Sequence, residues 1–207
     1  MTTRGPLELE TCRDYIVPML RAALWSDEQI VEQYRITDGR ISLVRGAHRR
    51  GDPLRADYVL EIAPGFPIAA VEAKREHRLA SQGLQQAMRY AQLLDLPLAY
   101  STNGHGIVEH DFDSGAQSEV LAFPTPSEAW ARYGVWKGIR VEEAGKHVLG
   151  PFTRQLRNPD GSVKEPRYYQ RVAIERALEA ILGGRKRALL TLATGTGKTF
   201  VALQVIW

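Results

Sequence analysis

With 207 residues, 44% of them hydrophobic and 25% charged, the chain has the make-up of an ordinary soluble protein. That length serves one sizeable domain plus a fragment, or two small domains. Its one cysteine, Cys12, excludes an internal disulfide, and no apolar run nears the roughly 20 residues that span a bilayer, so a cytoplasmic protein without a membrane partner is expected. The net charge of +3 is unevenly spread: Pro151 to Trp207 holds 10 Lys and Arg against 4 Asp and Glu, and the residues before it hold 17 against 20. A basic end of this kind attracts phosphates, although most such surpluses are solvated surface.

In chain order, "LELETCRDYIVPMLRAALW" sets Leu9, Cys12, Ile16, Met19, Leu20 and Ala23 near helical spacing, and predicts an amphipathic helix that Pro18 bends or divides. "VEQYRI" and "RISLV" predict short strands, followed by a Gly/Arg-rich loop, "RGAHRRGDPLR". "ADYVLEIA" and "PIAAVEAK" predict two strands joined at "PGF" by a hairpin-type turn. "SQGLQQAMRYAQLLDL" predicts a helix with Leu84, Ala87, Met88 and Ala91 as its apolar stripe. "PLAYSTNG" and "GIVEHDF" predict two strands around an Asn-Gly turn, and Trp130, Tyr133 and Trp136 read as the aromatic anchor of a helix. Strands, a helix and further strands imply a mixed α/β layered domain.

After about residue 135 the pattern loosens. The Pro, Gly, Asn and Asp of "VLGPFTRQLRNPDGSVKEP" mark a junction, with domains expected over residues 1–150 and 151–207. Beyond it "RYYQRVAIERALEAIL" predicts a helix ending at Gly183 and Gly184, "RALLTL" a short buried strand, and "GKTFVALQVIW" the opening of another helix.

Two places in this layout carry chemistry. Strand side chains alternate between faces, so Glu72 and Lys74 project together, and antiparallel pairing would set Asp57 beside Glu72. Two carboxylates and a backbone carbonyl make an oxygen-rich pocket suited to Mg²⁺, and an adjacent ammonium offsets charge developing on a phosphodiester. The competing reading is a salt bridge at a strand end. Gln86 and Tyr90, four apart, stack on one helix face opposite the Leu84/Met88 stripe. There they either meet solvent or offer an amide and a phenol to a phosphate backbone.

The second place is "LATGTGKTF", between a predicted strand and a predicted helix, the context that a phosphate loop needs. Thr194, Gly195, Thr196 and Gly197 form the turn whose amides would close around phosphates, with Lys198 reaching the β/γ-phosphates and Thr199 a Mg²⁺ ion. Leu192 stands where a strict Walker A pattern has its first glycine.

"RADYVL", "AAVEAKRE" and "QQAMRY" together resemble the nuclease domain of type I restriction enzyme R (motor) subunits, a branch of the PD-(D/E)xK nucleases. The resemblance implies that Asp57 and Glu72 are metal ligands, that Lys74 is the catalytic lysine, and that Gln86 and Tyr90 are the accessory QxxxY pair. It also suggests Glu10, in the opening helix, as a further metal-site acid. Ala56 departs from the proline of the superfamily name. "LATGTGKTF" resembles motif I of superfamily 2 helicases, and "PRYYQRVAIERAL" their Q motif, in which Gln170 would read the adenine edge with Tyr168 or Tyr169 near the base.

The implied fold is a restriction-endonuclease-like mixed sheet flanked by helices, followed by a truncated first piece of a P-loop, RecA-like motor domain. The implied function is a Mg²⁺-dependent, sequence-nonspecific DNA endonuclease domain of a type I site-specific deoxyribonuclease, joined to the ATP-binding start of its translocase. Cofactors would be Mg²⁺ and ATP. Partners would be double-stranded DNA and the methyltransferase and specificity subunits of a restriction-modification complex. The Walker B strand and second motor lobe are expected beyond Trp207, so little ATP hydrolysis is expected of these residues alone. Two rival readings remain: a non-cleaving DNA-binding or docking module of an ATP-dependent translocase, and a structural ion-pair network with no role in DNA chemistry. His77, His105 and His110 read as surface or core residues.

Overall fold

The computed structural model describes residues 12–37, 41–44, 47–50, 54–139, 157–162, 164 and 166–206. They fall into two compact units, residues 1–136 and 137–207. The expected junction lies partly outside the described residues, as does Glu10.

In the first unit a π-helical turn, Cys12–Ile16, leads into a short helix α1, Val17–Ala22. Pro18 occupies the first turn of α1, where the π-helical turn gives way to the α-helix, in keeping with the expected division. The strands follow: β1 Ile30–Thr37, β2 Ile41–Val44, β3 Ala47–Arg50, β4 Leu54–Ala63 and β5 Phe66–Ala73. Helix α2, Leu84–Leu94, comes next, then β6 Leu98–Thr102, β7 Ile107–Asp111, β8 Gln117–Val120 and helix α3, Pro126–Lys137. The main sheet has six strands in the order β1-β4-β5-β6-β7-β8, while β2 and β3 pair apart as a ribbon. Ala47–Arg50 therefore lies in a strand, not in the loop that its Gly/Arg-rich surroundings predicted. Backbone pairing to β2 outweighs what composition alone suggests.

Strand β5, "FPIAAVEA", is buried along its whole length. A central strand covered on both faces reads as a near-continuous apolar run, and β5 does. It pairs antiparallel with β4 and parallel with β6. A parallel neighbour requires a crossover, which α2 supplies. The β4–β5 turn places Gly65 at φ 80°, and Gly65 N–H donates to Glu61 Oε2 at 2.6 Å.

The side chains of Val59, Ala70 and Ala99 share a sheet face with Ala87, Tyr90, Ala91 and Leu94 of α2. On the other face Tyr100 lies opposite Glu109, and Arg132 of α3 reaches the same carboxylate. The aromatic anchor takes its expected form here: Trp130 stacks on Tyr133 at 5.2 Å, and both meet Phe66 edge-on. Trp25 Nε1 donates to the Pro124 carbonyl at 2.8 Å.

In the second unit helices α4, Tyr168–Leu182, and α5, Lys198–Ile206, pack around Ala173, Ile174, Phe200 and Val201. The strand expected at "RALLTL" does not form. Leu189 is 92% exposed, and no strand of this unit is present among the described residues to pair with it. A strand without a neighbour leaves its backbone groups to water and gains nothing from extension.

Candidate active site

The antiparallel register of β4 and β5 sets Tyr58 against Val71. Asp57, the residue before Tyr58, therefore lies by the end of β5 that carries Glu72 and Ala73. Asp57 Oδ2 accepts the Ala73 N–H at 2.9 Å, and its Oδ1 lies 3.5 Å from Gln33 Nε2. Gln33 belongs to β1 and holds a left-handed backbone, φ 50°. Glu72 is only 3% exposed, and Lys74 Nζ donates to its Oε1 at 2.8 Å. Lys74 N–H in turn donates to the Thr102 carbonyl at 2.8 Å, fixing the end of β5 to β6. Alternation thus places Glu72 and Lys74 together as expected, and the ion pair of the simpler reading is formed.

A one-turn 3₁₀ segment, Ala80–Gly83, brings the start of α2 onto this face. Gly83 N–H donates to Ser101 Oγ at 3.1 Å, and Ser101 sits opposite Glu72 in the parallel register. Gln86 Nε2 donates to the Tyr90 hydroxyl at 2.6 Å. Tyr90 departs from its expected place. It is 3% exposed and packs in the core with Ala87 and Ala91, while Gln86 stays exposed. The buried side of α2 is Leu84, Ala87, Tyr90, Ala91 and Leu94, turned away from the expected Leu84/Met88 stripe, and Met88 is only partly buried. Tyr90 flanks the site with its hydroxyl and fills the core with its ring.

Burial is the main cause that holds the Tyr90 hydroxyl above its ordinary titration range. The Gln86 hydrogen bond opposes it, the Glu72 and Asp57 carboxylates push further up, and Lys74 partly offsets them. Tyr90 therefore senses the charge of all three groups and remains a neutral phenol near pH 7.

The donor chemistry of this face fits a hard divalent cation. Among the described residues no three His, Cys, Asp or Glu side chains converge. Two carboxylates from adjoining strands are what Mg²⁺ commonly takes, keeping several waters of its own. Gln33, Gly83 and Ser101 escaped the sequence reading. No local pattern marks a side chain whose role comes from a residue on another strand.

In the second unit the turn between Ala193 and Lys198 places Gly195 at φ 79° and Gly197 at φ 82°, conformations that glycine adopts without strain. Thr196 Oγ1 and Lys198 Nζ both donate to the Ala193 carbonyl, at 2.6 and 3.2 Å. Thr194 and Thr199 are exposed. Gln170, 7% exposed, donates from Nε2 to the Thr196 carbonyl at 2.7 Å and accepts the Arg167 N–H at 2.9 Å. Both ends of its amide are engaged within the chain, binding the start of α4 to the loop. The Tyr169 hydroxyl lies 3.3 Å from Arg167 Nη1, and the Tyr168 side chain lies outside the described residues.

Residues 163–207, which carry this loop, match the family described as "Type III restriction enzyme, res subunit". Over 201 residues, 93% of the chain, the sequence is 38% identical to the type I restriction enzyme EcoAI endonuclease subunit of Escherichia coli. The chain belongs to the endonuclease-subunit family of type I restriction enzymes. A second member, the EcoKI endonuclease subunit of Escherichia coli K12, is 26% identical over 204 residues, 78% of the chain. The solved fragment of an HsdR subunit of a type I restriction enzyme from Vibrio vulnificus YJ016 superposes with a TM-score of 0.86 at 43% identity. That likeness covers 99% of this chain and 38% of the other, so the mixed sheet with flanking helices is common to both. The chain spans 24% of the EcoAI subunit's length and 17% of the EcoKI subunit's. Among the described residues no helix is long and apolar enough to cross a membrane.

Proposed function

We propose that the first unit is a Mg²⁺-dependent DNA endonuclease of the PD-(D/E)xK type, cutting without sequence preference, and that the second is the ATP-binding start of a P-loop translocase. The observation that supports the nuclease reading is the gathering of Asp57, Glu72 and Lys74 at the end of β5, where Asp57 Oδ2 accepts the Ala73 N–H at 2.9 Å and Lys74 Nζ lies 2.8 Å from Glu72 Oε1. Asp57 and Glu72 would hold the metal, with Glu10 the further candidate. A bound Mg²⁺ supplies polarisation of the phosphodiester and acidification of a water.

The chain's own groups do the rest. Lys74 brings a fixed positive charge to where negative charge grows on the phosphorus oxygens. Gln86 points an exposed amide, and Tyr90 a neutral hydroxyl, toward the phosphate backbone beside the scissile bond. In the second unit the Thr194–Gly197 turn, Lys198 and Thr199 would cradle ATP phosphates and their Mg²⁺. Gln170 would reach the adenine by exchanging its present bonds to the loop. The family points to duplex DNA, methyltransferase and specificity subunits as partners, within the cytoplasm.

The test is nicking of supercoiled plasmid with and without Mg²⁺. Metal-dependent nicking by the wild type that disappears in Asp57→Ala and Lys74→Ala is expected. Equal inertness of all three proteins, with DNA still bound, would favour a docking module. The other rival, a structural ion-pair network with no role in DNA chemistry, draws on the same Lys74–Glu72 pair, which also suits a structural tie.

A further inference from the structure

Lys74 is followed by a tight turn, "REHR", whose Arg78 N–H donates to the Arg75 carbonyl at 2.8 Å. Every residue from Arg75 to Leu79 is exposed, yet the backbone of the turn is held firmly. Asn103, in the β6–β7 turn, donates from Nδ2 to the Arg78 carbonyl at 2.7 Å and to the Glu76 carbonyl at 3.4 Å. Its Oδ1 accepts the Gly106 and His105 N–H groups at 2.9 and 3.1 Å, so one amide joins both turns. His105 Nε2 lies 2.9 Å from Glu76 Oε1. Glu76 is the only acid between Lys74 and Leu79, and this contact draws its carboxylate toward the β6–β7 turn.

The β6–β7 turn is itself clamped. Gly104 has φ +86°, and a Cβ there would stand 2.8 Å from Tyr15 Cβ; the Tyr15 ring lies 5.3 Å from that of His105. Thr102 Oγ1 donates to the Gly106 carbonyl at 2.7 Å and accepts the Gly104 N–H at 3.1 Å. With its carbonyls turned inward to Asn103, the "REHR" turn sends the Arg75 and Arg78 side chains to solvent from a backbone that is already ordered.

We propose that the Arg75–Arg78 turn, locked by Asn103, is a clamp for the phosphate backbone of duplex DNA beside the Glu72–Lys74 centre. The choice of DNA as occupant rests on the nuclease reading. The clamp follows Lys74 directly in the chain, so a backbone lying on the centre passes the turn. Guanidinium groups suit phosphate oxygens because their donors form a planar fork. Holding the turn rigid before DNA arrives removes part of the ordering cost of binding. Arg75 and Arg78 act by position and charge, and Asn103 is a positioning residue.

The test is fluorescence anisotropy of the full chain on a labelled duplex, with Ca²⁺ replacing Mg²⁺, over a range of salt concentrations. Arg75→Ala/Arg78→Ala is expected to weaken binding on the order of tenfold at low salt and to flatten the slope of log K against log salt by about 2, since each phosphate that is no longer neutralised removes about 0.9. Arg75→Lys/Arg78→Lys restores the slope. Asn103→Ala weakens binding less and leaves the slope alone, because the charges remain while their placement loosens.

Unchanged affinity and slope in the double alanine variant would overturn the clamp. So would a loss of binding that lysine does not restore and that follows a fall in melting temperature, since the arginines would then belong to the fold. Absence of Mg²⁺-dependent nicking by the wild type, with the slope change intact, would remove the nuclease reading and uphold the clamp as a DNA-docking surface.

Discussion

Gly83 leaves no room above Glu72. A Cβ on this glycine would stand 2.8 Å from Glu72 Cγ, 2.9 Å from Lys74 Cε and 2.6 Å from Ser101 Oγ. The backbone at Gly83, φ −92° and ψ −7°, is one any residue adopts, so the requirement for glycine is purely steric. The start of α2 presses on the acid and the amine together, and their relative position depends on that contact.

Gly83→Ala tests this directly. Overpacking a closed contact costs about 1–3 kcal/mol. The alanine methyl would also push Glu72 and Lys74 from their present places. The expected outcome is a lower melting temperature with a larger proportional loss of nicking. A variant that melts lower but nicks at the wild-type rate would show that the site tolerates the displacement.

Metal binding should register in stability as well as in activity. A ligand that binds only the folded state stabilises it by about 2.7 kcal/mol at a hundred times its dissociation constant. Mg²⁺ is expected to raise the melting temperature of the wild type. Asp57→Asn keeps an oxygen for the Ala73 N–H but loses the charge, and the rise should vanish. Equal shifts in both proteins would place the ion elsewhere.

Tyr90→Phe separates ring from hydroxyl. The ring fills the core and stays; the 2.6 Å bond to Gln86 is lost, at a cost of about 1 kcal/mol. Nicking should fall several-fold. Burial holds Tyr90 above its ordinary range. No limb of the pH–rate profile below about pH 10 should therefore belong to it, and the variant's profile should keep its shape. A vanished basic limb would contradict this.

The opposite sheet face carries its own charge cluster, and its stability should depend on acid. Arg132 donates to Glu109 at 2.8 and 2.7 Å and to Asp111 at 2.8 Å. Burial resists ionisation of both carboxyls, but the bonds from Arg132, with Tyr100 assisting at Glu109 and the Asp113 N–H at Asp111, prevail and hold both below the ordinary carboxylate range. A folded-state value below the unfolded one gives stability that is complete above about pH 4 and drains away as pH falls through the lowered values. Arg132→Met should cost about 2–4 kcal/mol at pH 7, less than for a fully buried pair. Urea titrations should show that gap narrowing below pH 4. A gap independent of pH would assign the loss to packing.

Much of the architecture could be read from spacing. The apolar runs "ADYVLEIA" and "PIAAVEAK" became paired strands β4 and β5, and Gly65 turned between them because a left-handed residue was needed there. Alternation alone put Glu72 and Lys74 on a common face. The misreadings have a shared origin. Ala47–Arg50 looked like loop until β2 was beside it, and "RALLTL" looked like strand although no partner lies beside it among the described residues. β8, with little apolar character, gave no pattern to find.

By itself the sequence determined which side chains alternate, where glycine and proline turn the chain, and which acids and amines sit at a strand's end. Those properties are local, set by backbone sterics over a few residues. Only the tertiary structure decided that Asp57 bonds the Ala73 N–H at the end of β5, that Gly83 closes over Glu72 and Lys74, that Tyr90 is buried, and that Asn103 ties the basic turn to β6 and β7. Each of these relationships joins residues distant in the chain, and strand register and helix packing alone bring them within a few ångströms.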